Sequence, residues 1–520
     1  MNSLFARKSV ADFEADVAEH GGLKRSLGKW HLTALGVGAT IGAGIFATTG
    51  TAIVGDSLRP GAGPAIIFSF ILTAVACGFA ALCYAEFAAM VPVSGSAYTY
   101  AYASIGEFVA WIIGWDLIIE YAVGNIGVAI GWSGYFRELV GHFGINLPAW
   151  TATDYRSAHD AFNQLTSAGA SGVDATTKYL ASAWTAAPHP FGIPVIVNLP
   201  AVLVVALITV ILVIGIKESA DANNAMVLLK VAIILFFIGV GIFLIHPHNW
   251  TNPATGGFNP NGVKGISAAA AIIFFSYIGF DAVSTAAEET RDPPKDMPFG
   301  IIMSLVICTV LYIAISIVMT GMAPWKTLGT AEPMITALQF AQGPAALINA
   351  SRFIVSLGAV IAMGSVLLVF QLGQPRIFFS MSRDGLLPPV LAKVHPKYKT
   401  PYVGTILTGI FVAAFAAFAN IAEVVDLTNI GTLFAFVLVS AGVIFLRRLE
   451  PDRYRPFRVP WVPLTPLISI VACFYLMWQL PTITWIRFGV WLVIGLVLYF
   501  TYGYTHSTLR LREAARGDRA

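Results

Sequence analysis

Two clusters of small and polar residues stand where an apolar helix would be expected to run unbroken. The first is GVGATIGAG, which sets Gly36, Gly38, Gly42 and Gly44 within nine residues. The second is Ser276-Tyr277-Ile278-Gly279-Phe280-Asp281. Glycine in a helix interior costs about 1 kcal/mol relative to alanine. One account of Gly38 and Gly42 is close helix packing of the small-xxx-small kind. The other is a break from Ile41 to Gly44, at which one half-helix ends and another begins. Such a break exposes the amides of Ala43, Gly44 and Ile45 at a new N-terminus, where unpaired donors and the helix dipole attract an anion. At the second cluster the first half-helix ends near Phe275. The carbonyls of Phe275, Ser276 and Ile278 are then left to attract a cation. A small molecule with a carboxylate and an ammonium satisfies both ends at once, which describes an α-amino acid. An inorganic ion would use only half of the arrangement.

Isolated charges in apolar runs are the second chemical signal, because charge at membrane depth is costly and is retained for function. Lys230, in VLLKVAIILFF, lies nine residues beyond Asp221, about 13 Å along a helix. From that depth its stem is too short to snorkel to an interface. Low-dielectric surroundings disfavour a charged ammonium, so a lysine placed here is a candidate for proton exchange. Asp116 and Glu120, in GWDLIIEY, share one helix face at i and i+4. Two such carboxylates either need a cation nearby or form a hydrogen-bonded structural pair. Asp281 is placed to cap the second half of its helix. Glu86, Glu288, Glu289, Arg291 and Arg376 fall near span ends, as gate ion pairs or as ordinary anchors.

These residues must be positioned by membrane helices. Of 520 residues, 57% are apolar and only 11% charged, against roughly 25% charged in a soluble domain. That composition excludes a soluble enzyme, a nucleic-acid binder and a disordered chain. The expected fold is all-α, with about twelve spans. They are 30–54, 64–90, 97–136, 193–216, 222–245, 266–288, 298–322, 353–381, 401–421, 424–446, 463–480 and 485–506. An even number puts both termini on one face. On this reading 21 of the 31 Lys and Arg fall on that face and eight on the other, which makes the termini cytoplasmic. No signal peptide is read in the first 30 residues, where Asp12, Glu14, Asp16 and Glu19 precede any apolar run. A short amphipathic helix through Phe5, Phe13 and Val17 is expected there. The interrupted spans are the first and the sixth. Paired breaks in corresponding positions indicate an inverted repeat: spans 1–5 (30–246, with an external loop at 141–192) and spans 6–10 (265–448). Spans 11–12 (461–506) and tails at 1–29 and 507–520 complete the chain. The four cysteines, Cys77, Cys83, Cys308 and Cys473, form no CxxC pair and suit apolar packing.

GVGATIGAGIF resembles the glycine-rich first helix of the amino acid–polyamine–organocation superfamily. Three further stretches resemble its cationic amino acid transporter family, bacterial branch. They are CYAEFAAMVPVSGSAYTYAYASIGEFVAWIIGWDLIIEY (Cys83–Tyr121), FFSYIGFDAVSTAAEETRDPPKDMPFGI (Phe274–Ile301) and QPRIFFSMSRDGLLP (Gln374–Pro388). The resemblance spans nearly the whole chain. It implies a five-plus-five inverted repeat with two extra spans, and import of amino acids across the cell membrane. It places the substrate carboxylate on Ala43, Gly44 and Ile45, with Gly42 beside them, and the ammonium on the carbonyls of Ile41, Phe275, Ser276 and Ile278. It also implies that Lys230 stands where sodium-coupled relatives hold a sodium ion, and that Glu120 lies beside the transport path. Proton coupling through Lys230, with Glu120 and Asp116, is therefore expected, and no sodium site.

Phe280 and Met363 are the candidates for the side-chain pocket. Met363 is bulky and apolar, and GAVIAMGSVLLV carries no carboxylate, so neutral side chains are favoured over arginine or lysine. No cofactor or metal is implied. The expected partners are an amino acid, protons and the lipid bilayer, with no nucleic acid; a small membrane-protein partner is not legible in the sequence. An enzyme embedded in the membrane would need clustered catalytic groups at depth, yet all nine histidines lie in loops or at span ends. An amino acid exchanger, or a sensor that keeps the fold without transport, stays open as an alternative.

Overall fold

The computed structural model describes residues 4–8, 27–90, 96–168, 175–215 and 220–511. Among them are nine helices long and apolar enough to cross a membrane. They are α1 (Lys29–Val54), α2 (Gly63–Met90), α3 (Glu107–Gly141), α5 (Asn224–Ile242), α6 (Gly262–Ser284), α7 (Pro293–Met322), α8 (Ala345–Arg383), α10 (Ile421–Leu449) and α12 (Thr482–Leu511). Three shorter apolar helices complete the series: α4 (Leu199–Ile214), α9 (Tyr402–Ala416) and α11 (Leu464–Trp478). They fall at the expected fourth, ninth and eleventh spans. No strand forms among the described residues, and the protein is an all-α, multi-pass membrane protein. The stretch through Phe13 and Val17, expected to be amphipathic, and the last nine residues lie outside the described residues.

The packing repeats itself under the exchange of α1 with α6, α2 with α7, α3 with α8, α4 with α9 and α5 with α10. Helix α1 packs on α7, and α6 packs on α2; α5 packs on α8, and α10 on α3; α5 packs on α1, and α10 on α6. The pairs α2·α7, α3·α8 and α4·α9 map onto themselves. This is the signature of two five-helix repeats related by one pseudo-twofold axis. The two broken helices and α3 form the centre: in an apolar 18-residue stretch of each, 89% of residues are buried in α1, 94% in α3 and 94% in α6, against 22% in α12. Outer helices turn apolar side chains outward, as with Leu203, Leu207 and Val210 on α4, because the hydrocarbon solvates them.

Three local departures from the expected pattern have physical causes. The long third run is two helices, Ser96–Ser104 and α3, parted at Gly106. Gly106 has φ +125°, and a Cβ there would come within 2.6 Å of the Phe5 backbone. The loop at 141–192 holds two helices, Tyr155–Ala168 and Ala175–Ala186. They pack on each other through their own small core of Ala158, Ala183, Trp184 and neighbours. Finally, Glu86 is an anchor. Its carboxylate accepts from Arg447 Nη2 (2.6 Å) and Arg447 Nε (3.0 Å) and from the amide of Val459 (2.7 Å), tying the end of α2 to the α10–α11 connection. The side chain of Glu288 lies outside the description.

Removing one partner of a buried ion pair leaves the other uncompensated, at about 3–5 kcal/mol. Glu86→Ala is expected to lower the melting temperature of the detergent-purified protein markedly. An unchanged melting temperature would show that this anchor carries no load.

Candidate functional site

Helix α1 is helical to Thr40, and Ile41 then turns to extended backbone at φ −75°, ψ 97°. Helix resumes at Gly44, first as a π-helical turn over Gly44–Thr48. The first amide of the second half to find a carbonyl is that of Phe46, on Gly42 (3.2 Å). The amides of Ala43, Gly44 and Ile45 therefore lie before the first helical bond and have no acceptor within the helix. The break is pinned from outside: Tyr312 Oη of α7 donates to the carbonyl of Thr40 (3.0 Å), and Tyr135 Oη of α3 donates to that of Phe46 (2.7 Å).

Helix α6 is α-helical over Gly262–Ile273 and tightens to 3₁₀ over Phe274–Tyr277. It breaks at Ile278, which is extended, and at Gly279, which has φ +117°. A 3₁₀ stretch, Phe280–Glu289, follows. Asn429 Nδ2 of α10 donates to the carbonyls of Ala271 (2.7 Å) and Ile272 (3.1 Å). No hydrogen bond reaches the carbonyls of Ile41 or Ile278 among the described residues.

The two breaks abut. A Cβ on Gly44 would stand 2.3 Å from Ser276 Cα, and one on Gly279 would stand 2.8 Å from the Ala39 carbonyl. Around them, Gly42 faces Val366 of α8, Gly131 of α3 faces Ala43 and Met363, and Gly127 faces Phe275. Thus Met363 neighbours the first break. Phe280 is fully buried and packs edge-on against Tyr84 (6.2 Å) and at a tilt against Phe436 (5.4 Å).

The ionisable candidates fall in two places. Lys230 Nζ donates to the carbonyl of Gly38 in α1 (2.6 Å), and the side chain is 2% exposed. Glu120 lies on a π-helical turn of α3, Ile119–Val123, a distortion often found at functional sites. It lies near Asp281 and Thr432. Asp116 lies against Gly431 with both oxygens unpartnered. No Lys or Arg pairs with these three carboxylates among the described residues, so Lys230 is not joined to Glu120 or Asp116. Asp281 is not the cap of its half-helix: Gly279 holds that position, and Asp281, in the first turn, accepts from the Gly279 amide (3.3 Å), while its Oδ2 has no partner. Sequence reasoning missed Asn429, Thr432 and Tyr312. Their signal was present as polar groups within otherwise apolar spans.

A family model described as amino acid permease matches residues 27–500. The chain belongs to the amino acid permease family. It is 45% identical to the branched-chain amino acid permease BcaP of Bacillus subtilis, over 98% of this chain and 99% of that protein. It is 44% identical to the methylthioribose transporter of the same organism, over 98% of this chain and all of that one. A vacuolar cationic amino acid transporter of Arabidopsis thaliana is 35% identical, over 87% of this chain and 68% of its own length.

The glycines at the permease's break are not equivalent. A Cβ on Gly42 meets only the Val366 side chain, at 3.0 Å, whereas one on Gly44 meets Ser276 backbone. Gly44→Ala is expected to lower amino acid uptake at least about tenfold, or ~1.4 kcal/mol, with normal expression. Gly42→Ala should stay within a few-fold of wild type. Equal effects of the two would contradict the abutted geometry.

Proposed function

We propose that this permease is a secondary active transporter that imports L-amino acids across the cell membrane, coupled to protons and independent of sodium. The substrate carboxylate takes the amides of Ala43, Gly44 and Ile45, and the ammonium takes the carbonyls of Ile41, Phe275, Ser276 and Ile278. Twelve crossings with both termini cytoplasmic follow from the short helices α4, α9 and α11 spanning, and from the distribution of Lys and Arg. Neutral side chains are favoured, because Met363 beside Ala43 offers bulk and no charge. The name of the branched-chain relative agrees with this preference.

The observation that carries the coupling is the hydrogen bond from Lys230 to Gly38. A charged donor makes this bond roughly twice as strong as a neutral one. Protonated, Lys230 ties α5 to the first half of α1. Deprotonated, it loosens that tie and favours opening to the cytoplasm. A proton-linked change in affinity for the two states is what coupling requires. Glu120 and Asp116, buried on α3 without a basic partner among the described residues, are the further candidates for carrying a proton.

A second reading comes from the methylthioribose relative. That solute has neither carboxylate nor ammonium, so it would leave the amides of the first break without an anion. Uptake into proteoliposomes, screened over the twenty amino acids and methylthioribose, separates the two. Uptake of a neutral amino acid should be driven by an inward proton gradient and be indifferent to sodium. Lys230→Ala should bind substrate within a few-fold of wild type and lose the response to the gradient. A sodium requirement, or a Lys230→Ala variant that keeps its pH response, overturns proton coupling. Uptake that depends on amino acid on the far side would identify an exchanger, and binding without uptake a sensor.

A further inference from the structure

The connection between α10 and α11, residues 450–463, lies on the face that carries the N-terminal segment: Arg7 Nη1 donates to Glu450 Oε1 (2.9 Å). Arg447, Arg448, Arg453, Arg455 and Arg458 fall on it and on the last turn of α10, against Glu450 and Asp452. Three of these arginines are used inside the protein. Arg447 is held by Glu86, and Arg453 Nη1 donates to Glu450 Oε2 (2.7 Å). Arg455 is buried and donates to the carbonyls of Leu446 (3.3 Å), Glu450 (2.8 Å), Pro451 (3.3 Å) and Arg453 (2.8 Å). These bonds wind the connection around one guanidinium. The field that remains is positive. Burial lowers the pKa of Arg455; Glu86 opposes that, and the charges of Arg447, Arg453 and Arg458 lower it further.

Arg448 and Arg458 are exposed, and neither forms a hydrogen bond or an ion pair among the described residues. On α10, Arg448 lies one turn beyond Phe445 and next to Leu449, both of which turn outward from the bundle. Hydrocarbon solvates that side of the helix, so the long stem of Arg448 carries its guanidinium to the level of the lipid head groups. Leu464, at the start of α11, also turns outward, and α11 packs on α10. Tyr454 and Trp461, 81% and 78% exposed, flank Arg458 in the chain, and such rings concentrate at the membrane–water boundary. Trp461 is held at φ +51°, a conformation that is strained for a bulky residue and that glycine adopts freely. A strained and exposed tryptophan at this point marks a contact made outside the protein.

We propose that the α10–α11 connection is a docking site for anionic phospholipid of the surrounding bilayer. Arg448 and Arg458 bind lipid phosphate, for which the guanidinium fork is shaped. The acyl chains lie along Phe445, Leu449 and Leu464, and the rings of Tyr454 and Trp461 sit at head-group depth. The acidic stretch with Asp12, Glu14, Asp16 and Glu19 is the other anion that this chain could bring to the two arginines. Lipid is favoured because Arg448 leaves the lipid-facing side of α10 with apolar surface for the chains beside it. The site is independent of which solute the permease carries.

Lipid binding to the full, detergent-purified protein tests this. The protein is titrated with phosphatidylglycerol or with phosphatidylcholine, and bound lipid is counted by native mass spectrometry. Wild type should bind phosphatidylglycerol at least about tenfold more tightly than phosphatidylcholine, a preference that weakens with added salt. Arg448→Gln/Arg458→Gln should bring the preference below about threefold. Lys393→Gln/Lys397→Gln, which removes two exposed charges from the α8–α9 connection, should leave it unchanged. The wild-type measurement decides even if a variant fails to fold, since no preference for phosphatidylglycerol overturns the site. A preference that survives in Arg448→Gln/Arg458→Gln overturns the assignment to these arginines. An equal loss in the lysine variant means diffuse charge in place of a located site and overturns it too. If wild type shows no preference but gains one when Asp12, Glu14, Asp16 and Glu19 are neutralised, the arginines belong to the acidic stretch and not to lipid.

Discussion

A backbone amide or carbonyl without a partner is tolerated in the hydrocarbon layer only where protein or a polar cavity surrounds it. The rest of this protein is arranged around two segments that violate helical pairing at depth. Helices α1 and α6 bear the breaks and are, with α3, the most enclosed in the molecule. Each break is held open by polar side chains from unbroken neighbours, Tyr312 and Tyr135 at the first and Asn429 at the second. These side chains satisfy the groups flanking each gap and leave the groups within it free. The glycines follow from the same constraint, since only without a Cβ can Gly44 rest on Ser276 and Gly279 rest on Ala39.

Charge is divided by depth and by duty. Near the termini, Glu86 with Arg447 fixes the ends of helices that do not break. At mid-depth, Lys230 is bound to backbone and not to a carboxylate, so its protonation bears directly on the helix that carries the first break. Three carboxylates gather separately, on α3 and at the second break. On the far side, Arg59 and Asp426 link the loop after α1 to α10. The α1 helix is thus held just before its break, at Gly38, and beyond its far end, at Arg59, by groups whose strength depends on charge.

Much of this was legible in the sequence, for identifiable reasons. Breaks at GVGATIGAG and Ser276–Asp281 were visible because glycine and serine clusters are rare inside long apolar runs. Lys230 was visible because its nearest neighbours are all apolar. The pairing of Lys230 with the Gly38 carbonyl was compatible with the sequence but not decided by it, since pairing with Glu120 or Asp116 used the same residues. The division at Gly106 was hidden, because Ala97–Phe136 reads as one apolar run and the bend depends on contact with Phe5. A chamber of about 340 Å³ beside the second half of α1 was hidden more deeply. Its lining comes from loop residues such as Asp56, Asp154 and Glu332, far apart in the chain and each unremarkable alone. The 141–192 loop, rich in Ala, Ser and Thr, gave no hint that it folds into a helical hairpin over them.

In the proposed binding mode the free amides at Ala43–Ile45 and the free carbonyls at Ile41 and Ile278 receive the two charged ends of one amino acid. An electron cryo-microscopy structure of the purified permease with a transported amino acid bound tests this most directly. The account predicts carboxylate oxygens about 2.7–3.2 Å from the amides of Ala43, Gly44 or Ile45, with the ammonium against the carbonyls of the two breaks. An amino acid bound deep in the protein with its carboxylate on side chains, and with these amides still unpartnered, would contradict it.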